Sequence, residues 1–357
     1  MSGSTTSLRT EARLLPWNRK FLGSKRLLRD WIAARIIERV GTPSSFLDGF
    51  CGTGSVGVAM AFRGVRRVVA VDALLSNCII LQGFAEMARR PPEDPRVTAL
   101  LLDLNSLAPA RGYIAESYGG TYFTVENCSR MDSIRERIET LRAGSQISDG
   151  EQTILLAAFL LAADRVANTL GQYDAFLKHI DGRSMVKGRH LVDERVRSSF
   201  FLQPPARLEG LELEVVHGDM LSLASRLDVE AAYYDPPYNC RQYCDNYHVL
   251  ENLAFWQKPP LFGKTRKFDR RGMQSPFSRR TGAAAALRKL IEETIAREVF
   301  LSYSSEGILS RQEIRGILSR HGDVEEIDTE YPVFGNGAGV AARRSVREIL
   351  FHLRRGR

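Results

Sequence analysis

The sequence predicts an α/β fold, one nucleotide-type sheet interrupted by a mainly helical insert, and three observations predict it. Residues 45–72 read as strand, glycine-rich turn, helix and a second strand ending in an acid, Asp72, which is the opening of a βαβ unit. From residue 211 onward strands and helices alternate again. Between these stretches, roughly 85 residues carry helical periodicity and few strand signals. A chain of 357 residues is long enough for such a domain with an insertion, or for two domains of ordinary size.

Taken in order, residues 17–40, "WNRKFLGSKRLLRDWIAARIIERV", give an apolar and basic lead-in, a Gly-Ser turn with Ser24 as the expected N-cap, and an amphipathic helix ending near Gly41. "SSFLDGFCGTGSVGVAMAFRG" follows as strand, glycine turn and a helix from about Ser55. "RRVVAVDALLSN" supplies the strand that ends at Asp72. Helices are expected at 129–143 and 149–170, then strands in "LELEVVHGD" at 211–219 and in "AAYYDPP". "AAAALRKLIEETIAR" is the next helix, "EVFLSYSS" a strand, "SRQEIRGILSRHG" a helix and "SVREILFHLRR" the closing strand. The expected division is 1–118 and 206–357 for the sheet domain, with 119–205 as the helical insert.

Composition narrows the function classes. At 44% hydrophobic and 26% charged, with no apolar run near the ~18 residues of a membrane span, the chain is expected to be cytoplasmic. Its first residues lack the apolar core of a secretory signal and read as a loose start. Five scattered cysteines without a C-x-x-C pair fit a reduced compartment, and no metal site is expected, although Cys240, Cys244 and His248 have a ligand-like spacing of four. The formal charge of +8 suits a polyanionic partner. Residues 264–280, "KTRKFDRRGMQSPFSRR", concentrate seven Lys and Arg in seventeen positions, with Phe268 and Phe277 between them. A second basic stretch, 182–197, closes the insert, and two such stretches favour a nucleic-acid surface over a merely solvated loop.

Two prolines end the strand "AAYY", because proline lacks the N–H that a central strand needs. They leave a stiff backbone with Asp235 before it and Tyr238 after it, either an ordinary strand-ending turn or a rigid presentation of one carboxylate and one ring. The glycine turn has no Lys-Ser/Thr behind it, which excludes a P-loop. Gly52, Gly54 and Gly57 do spell the dinucleotide fingerprint, so a nicotinamide oxidoreductase stays open at this point.

Asp48, Phe50, Gly52 and Gly54, followed at a distance by Asp235-Pro236-Pro237-Tyr238, resemble the motif pair of amino-group DNA methyltransferases. The order "FLGSK", "FCGTG", insert, "DPPY" resembles the alpha-group, D12-class adenine-N6 methyltransferases, the Dam-like and FokI-methylase-like enzymes. "VANTLGQYDAFLK" and "FLSYSSEG" resemble that class as well. The resemblance implies a Rossmann-like S-adenosylmethionine-dependent methyltransferase sheet whose helical insert is a target-recognition domain. It implies S-adenosyl-L-methionine as cofactor, double-stranded DNA as partner and a cognate restriction endonuclease as a possible companion.

By that resemblance Asp235, Pro236, Pro237 and Tyr238 are catalytic, with Asp235 and a backbone carbonyl accepting from the adenine N6 amine and Tyr238 stacking on the flipped base. Phe50 lies against the cofactor, Gly52 and Gly54 let the backbone approach it, and Asp72 accepts from its ribose. Asp48 is a candidate for its ammonium, Asp219 lies near its adenine, and Trp17 and Lys25 belong to the segment that closes over its methionine end. Arg183, Lys187, Arg189 and Arg195 on the insert, and Lys264, Arg266, Lys267, Arg270 and Arg271 on the basic loop, are the DNA-contact candidates. Cytosine N4 is the nearest rival target, favoured less because serine is commoner there in the place of Asp235. RNA adenine and a DNA-binding specificity subunit without turnover are the remaining alternatives.

Overall fold

The computed structural model describes residues 15–16, 19–178, 180, 185–186, 189–190, 194–333 and 344–356. The expected loose start of the chain therefore lies outside the described residues. The chain divides into two compact units, each formed from three stretches of sequence.

The sheet unit comprises Leu27–Ala73, Leu213–Tyr243 and Gly272–Arg357. Its strands are β1 (Ser45–Gly49), β2 (Arg67–Asp72), β5 (Glu214–His217), β6 (Ala231–Tyr234), β7 (Glu298–Ser304), β8 (Gly322–Val333) and β9 (Arg344–Arg355), with β3 (Met185–Val186) and β4 (Arg189–His190) falling in the other unit. They form one sheet in the order β5-β2-β1-β6-β7-β9-β8. The first five are parallel, and β9 pairs antiparallel with both β7 and β8. β1, β2 and β6 sit in the middle, so both of their faces are covered, which is why they read as continuous apolar runs and not as alternating ones.

Helices α1 (Arg29–Val40) and α2 (Ser55–Ala61) belong to this unit, and α2 packs on β1 and β2. On the opposite face Leu47, Val69, Val71, Ala232 and Tyr234 pack with Leu287, Leu290, Ile291, Ile314 and Leu318. The apolar positions of "AAAALRKLIEE" recur at three and four residues, so this helix buries one stripe. The next helix, Arg311–Leu318, begins with a capping box in which Ser310 and Glu313 satisfy each other's backbone N–H groups.

The helical unit comprises Met1–Arg26, Leu74–Glu212 and Cys244–Arg271. It holds α3 (Leu75–Ala88), α4 (Pro95–Ser106), α5 (Tyr113–Tyr118), α6 (Val125–Ala143) and α7 (Asp149–Val166). After β3 (Met185–Val186) and β4 (Arg189–His190), a two-stranded antiparallel ladder, the short α8 (Met220–Leu223) returns to the sheet unit. Then α9 (Tyr243–Asn246), which straddles the boundary, and α10 (His248–Phe255) are followed by α11 (Ala283–Glu293) and α12 (Arg311–Leu318), the two helices on the sheet. Helix α7 is apolar nearly all round because it is the buried axis of its unit. Gly83 of α3 meets Ala157 of α7 with no room for a Cβ, which brings the two helices into close contact.

Several expectations shift. The first helix starts at Arg29 behind Leu28, and Ser24 instead accepts from Arg26 N–H one turn earlier. The strand expected over 211–219 is confined to 214–217. Helices over 75–118 and strand β8 had no counterpart in the sequence reading. The helical unit also divides the chain differently from the expected 119–205, since α3 to α5 and residues 244–271 join it. The physical reason is packing: α3 lies close against α7 through Gly83. No helix among the described residues is long and apolar enough to cross a membrane.

Candidate active site

The register of three parallel strands sets up the site. Asp48 on β1 lies opposite Ala70 of β2 and Tyr233 of β6. With a side-chain period of two, Asp72 and Asp235, each two residues further on, come to the same face as Asp48. Three carboxylates therefore gather at the C-terminal ends of three adjacent strands, the edge where α/β sheets bind ligands.

Between β1 and α2 the backbone turns through the left-handed region at Phe50 (φ 67°), Gly52 (φ 53°) and Gly54 (φ 69°). Glycine takes this conformation freely, whereas Phe50 holds it under strain of about 1–2 kcal/mol. Its ring packs edge-on against Phe277 at 5.2 Å and Tyr234 at 6.3 Å, which offsets that cost. The loop is laced to β2: Cys51 N–H donates to Val71 O at 2.8 Å and Gly52 N–H to Asp72 Oδ2 at 2.7 Å.

Asp48 is 2% exposed, and its Oδ2 accepts the N–H of Gly57 at 2.7 Å. A Cβ on Gly57 would stand 3.0 Å from that oxygen, so glycine is what lets the helix start approach the acid. Burial, partly offset by the Gly57 hydrogen bond and reinforced by the charges of Asp235 and Asp72, raises the Asp48 carboxyl to about 7. Among the described residues no three His, Cys, Asp or Glu side chains come together in a way that could hold a metal ion.

The Asp235-Pro236-Pro237-Tyr238 segment leaves the end of β6 with Asp235 N–H pointing at Gly49 O, 3.4 Å away. Pro236 is buried, while Asp235, Pro237 and Tyr238 are half-buried. The far end is tied down as well: Tyr238 O accepts from Ile308 N–H at 2.9 Å, and its ring meets Tyr303 edge-on at 6.0 Å. The segment is thus clamped at both ends, with its carboxylate and ring carried between. Sequence reasoning missed Tyr303 and Ile308 as supports because their contacts are long-range, and it read Gly57 only as part of the dinucleotide fingerprint.

Other expected residues sort differently. Asp219 is exposed and caps α8, accepting from Leu221 N–H at 3.2 Å. Lys25 is buried and lies in the helical unit. Trp17, Arg183 and Lys187 lie outside the described residues, and only the backbone of Arg189, on β4, is described. Arg195 departs from the expectation of a base-reading side chain: its guanidinium donates to Arg165 O at 2.6 Å and Thr169 O at 2.9 Å. Phe277, expected on the basic loop, is buried in the core of the sheet unit.

That loop is not one solvated run. Arg270 donates to Asp245 Oδ1 at 2.8 Å, Lys267 stands 3.5 Å from the same oxygen, and Arg271 pairs with Asp269, holding that carboxyl down near about 2. Lys264 and Arg266 are exposed and have no ion pair among the described residues. The ligand-like spacing of Cys240, Cys244 and His248 is not used as such. His248 is buried with Nδ1 2.9 Å from Asp245 O and Nε2 2.8 Å from Thr265 O. Both oxygens only accept, yet burial, with Lys267 and Arg270 nearby, lowers this histidine to about 4, so the neutral ring donates to one of them at a time. Glu251, also buried, accepts from Leu75 and Ser76 N–H at 3.0 and 2.8 Å and so caps α3 from outside the helix.

The family model for the D12 class N6 adenine-specific DNA methyltransferase matches residues 21–317. The chain is 28% identical over 351 residues to modification methylase StsI of Streptococcus sanguinis, covering 94% of this chain and 52% of that protein. It is 32% identical over 317 residues to the Type II methyltransferase M.FokI of Planomicrobium okeanokoites, covering 85% of this chain and 47% of that one. With the Type II methyltransferase M.NlaIII of Neisseria lactamica the identity is 31% over 327 residues, covering 88% and 92%. The chain thus spans about half the length of the first two relatives and nearly all of the third. A match across most of the sequence, carrying both the glycine loop and the Asp-Pro-Pro-Tyr segment, means that the chain belongs to the D12 class of N6 adenine-specific DNA methyltransferases.

Proposed function

We propose that the chain methylates the N6 amino group of an adenine flipped out of double-stranded DNA at a specific sequence, using S-adenosyl-L-methionine. The observation that carries this reading is the clamped Asp235-Pro236-Pro237-Tyr238 segment beside a cluster of acids at the strand ends. When bound, the cofactor supplies an electrophilic methyl group on a sulfonium. Asp72, at the end of β2, accepts from the ribose hydroxyls while keeping Gly52 N–H on its other side. Asp48 and its acidic neighbours favour the cation, Phe50 offers a ring to lie against it, and Gly52 and Gly54 keep the approach clear of side chains. Trp17, Lys25 and Asp219 complete the cofactor set on the strength of the resemblance.

An adenine N6 is a poor nucleophile because its lone pair is delocalised into the ring. Asp235 and a carbonyl of the proline turn accept its two hydrogens, which draws the nitrogen towards tetrahedral geometry and aims the lone pair at the methyl group. Charge growing on N6 is then met by a carboxylate that the prolines hold in place. Tyr238 stacks on the base, which must leave the duplex to reach a buried donor. The relatives named modification methylase and Type II methyltransferase support placing this chain in a restriction-modification system, with a cognate endonuclease as its partner.

Expression in a host lacking DNA methylation, followed by single-molecule sequencing, tests the reading. N6-methyladenine at one defined sequence is the expected result. N4-methylcytosine would transfer the mechanism to cytosine, and unmodified DNA despite tight, sequence-selective binding would make the chain a specificity subunit.

A further inference from the structure

We propose that the turn Phe262–Lys267 is a preformed DNA finger in which Phe262 wedges into a base step while Lys264 and Arg266 hold the flanking phosphates. The inference rests on the reading of the chain as a DNA methyltransferase and adds a role for a residue outside the expected basic loop. Phe262 is 61% exposed, a large apolar side chain left in water. The other two aromatic rings of the segment are withdrawn, Phe268 half-buried and Phe277 buried. The finger's neck is closed by reciprocal backbone bonds, Phe262 N–H to Lys267 O at 2.7 Å and Lys267 N–H to Phe262 O at 3.0 Å, and Arg266 N–H donates to Gly263 O at 3.3 Å across the turn. Gly263 and Arg266 take the left-handed conformation that so tight a turn requires.

The far side of the turn is fixed to the core of the helical unit. Thr265 O lies 2.8 Å from Nε2 of the buried His248 and 3.1 Å from the hydroxyl oxygen of the buried Tyr122, which also faces Tyr173 O at 2.6 Å. An aromatic ring on a backbone held this way loses little conformational freedom when it binds. The charges around it point to the occupant. Lys267, Arg270 and Arg271 are spent on Asp245 and Asp269, which leaves Lys264 and Arg266 as the two cations of this finger without an ion pair among the described residues. An apolar ring flanked by two available cations matches a stacked polyanion, where wedges unstack a step and cations take phosphates. An acidic protein surface would be met by the same cations but would have no base step for the ring.

The test uses the full-length protein and a duplex carrying the sequence found by methylation mapping, both fully paired and with the target adenine mismatched. Phe262→Ala should lower single-turnover methylation of the paired duplex by about ten-fold, because the cost of unstacking is no longer met by the ring. The mismatched duplex, already partly unstacked, should recover most of the rate, as should Phe262→Trp on the paired one. Lys264→Ala combined with Arg266→Ala should instead reduce the slope of log affinity against log salt by about 1.8 on any DNA. Wild-type rates for Phe262→Ala on both duplexes would overturn the wedge, and an equal loss on both with a lowered melting temperature would make Phe262 a folding residue. Absence of methylation of any DNA by the wild type would remove the underlying reading itself, a result distinct from these.

Discussion

The strand-end acids of the sheet unit come from distant points of the sequence, whereas the basic turn of the helical unit is already a cluster of like charge in the sequence, and the fold arranges the two in different ways. Asp48, Asp72 and Asp235 are brought to one face by strand register, and burial, reinforced by the neighbouring charges, pushes the Asp48 carboxyl up to about 7. Lys267, Arg270 and Arg271 are each given an acid, while Lys264 and Arg266 are exposed and have no ion pair among the described residues. A parallel sheet fixes each residue's neighbours by its period of two, whatever their charge, whereas a loop lets its long side chains turn to the nearest acid. Like charge gathered by strand register therefore reports the geometry of the sheet, whereas charge paired within the loop reports which acids its side chains can reach.

Substitution at Asp235 should have the largest effect. Asp235→Ala should lose roughly 3–4 kcal/mol of barrier, about 10² to 10³ in rate, with cofactor binding by calorimetry nearly unchanged. Normal turnover in that variant would undo the mechanism.

Asp48 gives the next effect, and its sign is opposite for stability and for binding. Its carboxyl titrates near 3.8 in the unfolded chain and near about 7 in the fold, so between these values the native state holds a proton that the unfolded state has released. The stabilising contribution is whole below 3.8 and is lost as pH rises through 7. Asp48→Asn should thus raise stability above pH 7, on the order of 3 kcal/mol, and flatten the pH profile of denaturant unfolding. The same variant should bind S-adenosylmethionine more weakly. Unfolding curves of the two proteins that overlay from pH 5 to pH 8 would show that burial and the acidic neighbours do not raise the Asp48 carboxyl.

Arg195 sharpens the contrast from the other side. Because its guanidinium serves backbone carbonyls, Arg195→Ala should cost about 2–3 kcal/mol of stability and leave base discrimination on cognate and scrambled duplexes alone. Loss of discrimination at a single base position, with the melting temperature intact, would return this residue to the recognition surface. Asp72→Ala should weaken cofactor binding by about 1–3 kcal/mol in calorimetry, through lost charge-assisted hydrogen bonds and a loosened Gly52. The smallest change is expected for Arg271→Ala, whose side chain is 88% exposed against an exposed Asp269. Neither melting temperature nor methylation rate should move, and a steep loss of DNA affinity would show that this ion pair opens to take a phosphate.

By itself the sequence determined the fold class, the motif pair and the type of chemistry, because these depend on local rules. Apolar runs such as the "VVAV" inside "RVVAVD" mark buried strands, glycines mark a turn through the left-handed region, and prolines end a strand wherever they fall. The face shared by Asp48, Asp72 and Asp235 was not legible, since it depends on which strands pair and in which register. Equally hidden were the clamp of Ile308 and Tyr303 on Tyr238, the withdrawal of Phe277 into the core and the use of Arg195 as a staple, all contacts between residues tens of positions apart. A run of basic letters carries no record of which of its members find an acid. Only the tertiary structure, by bringing Asp245 beside Lys267 and Arg270 and leaving Lys264 and Arg266 in water, decided which cations remain available to a partner.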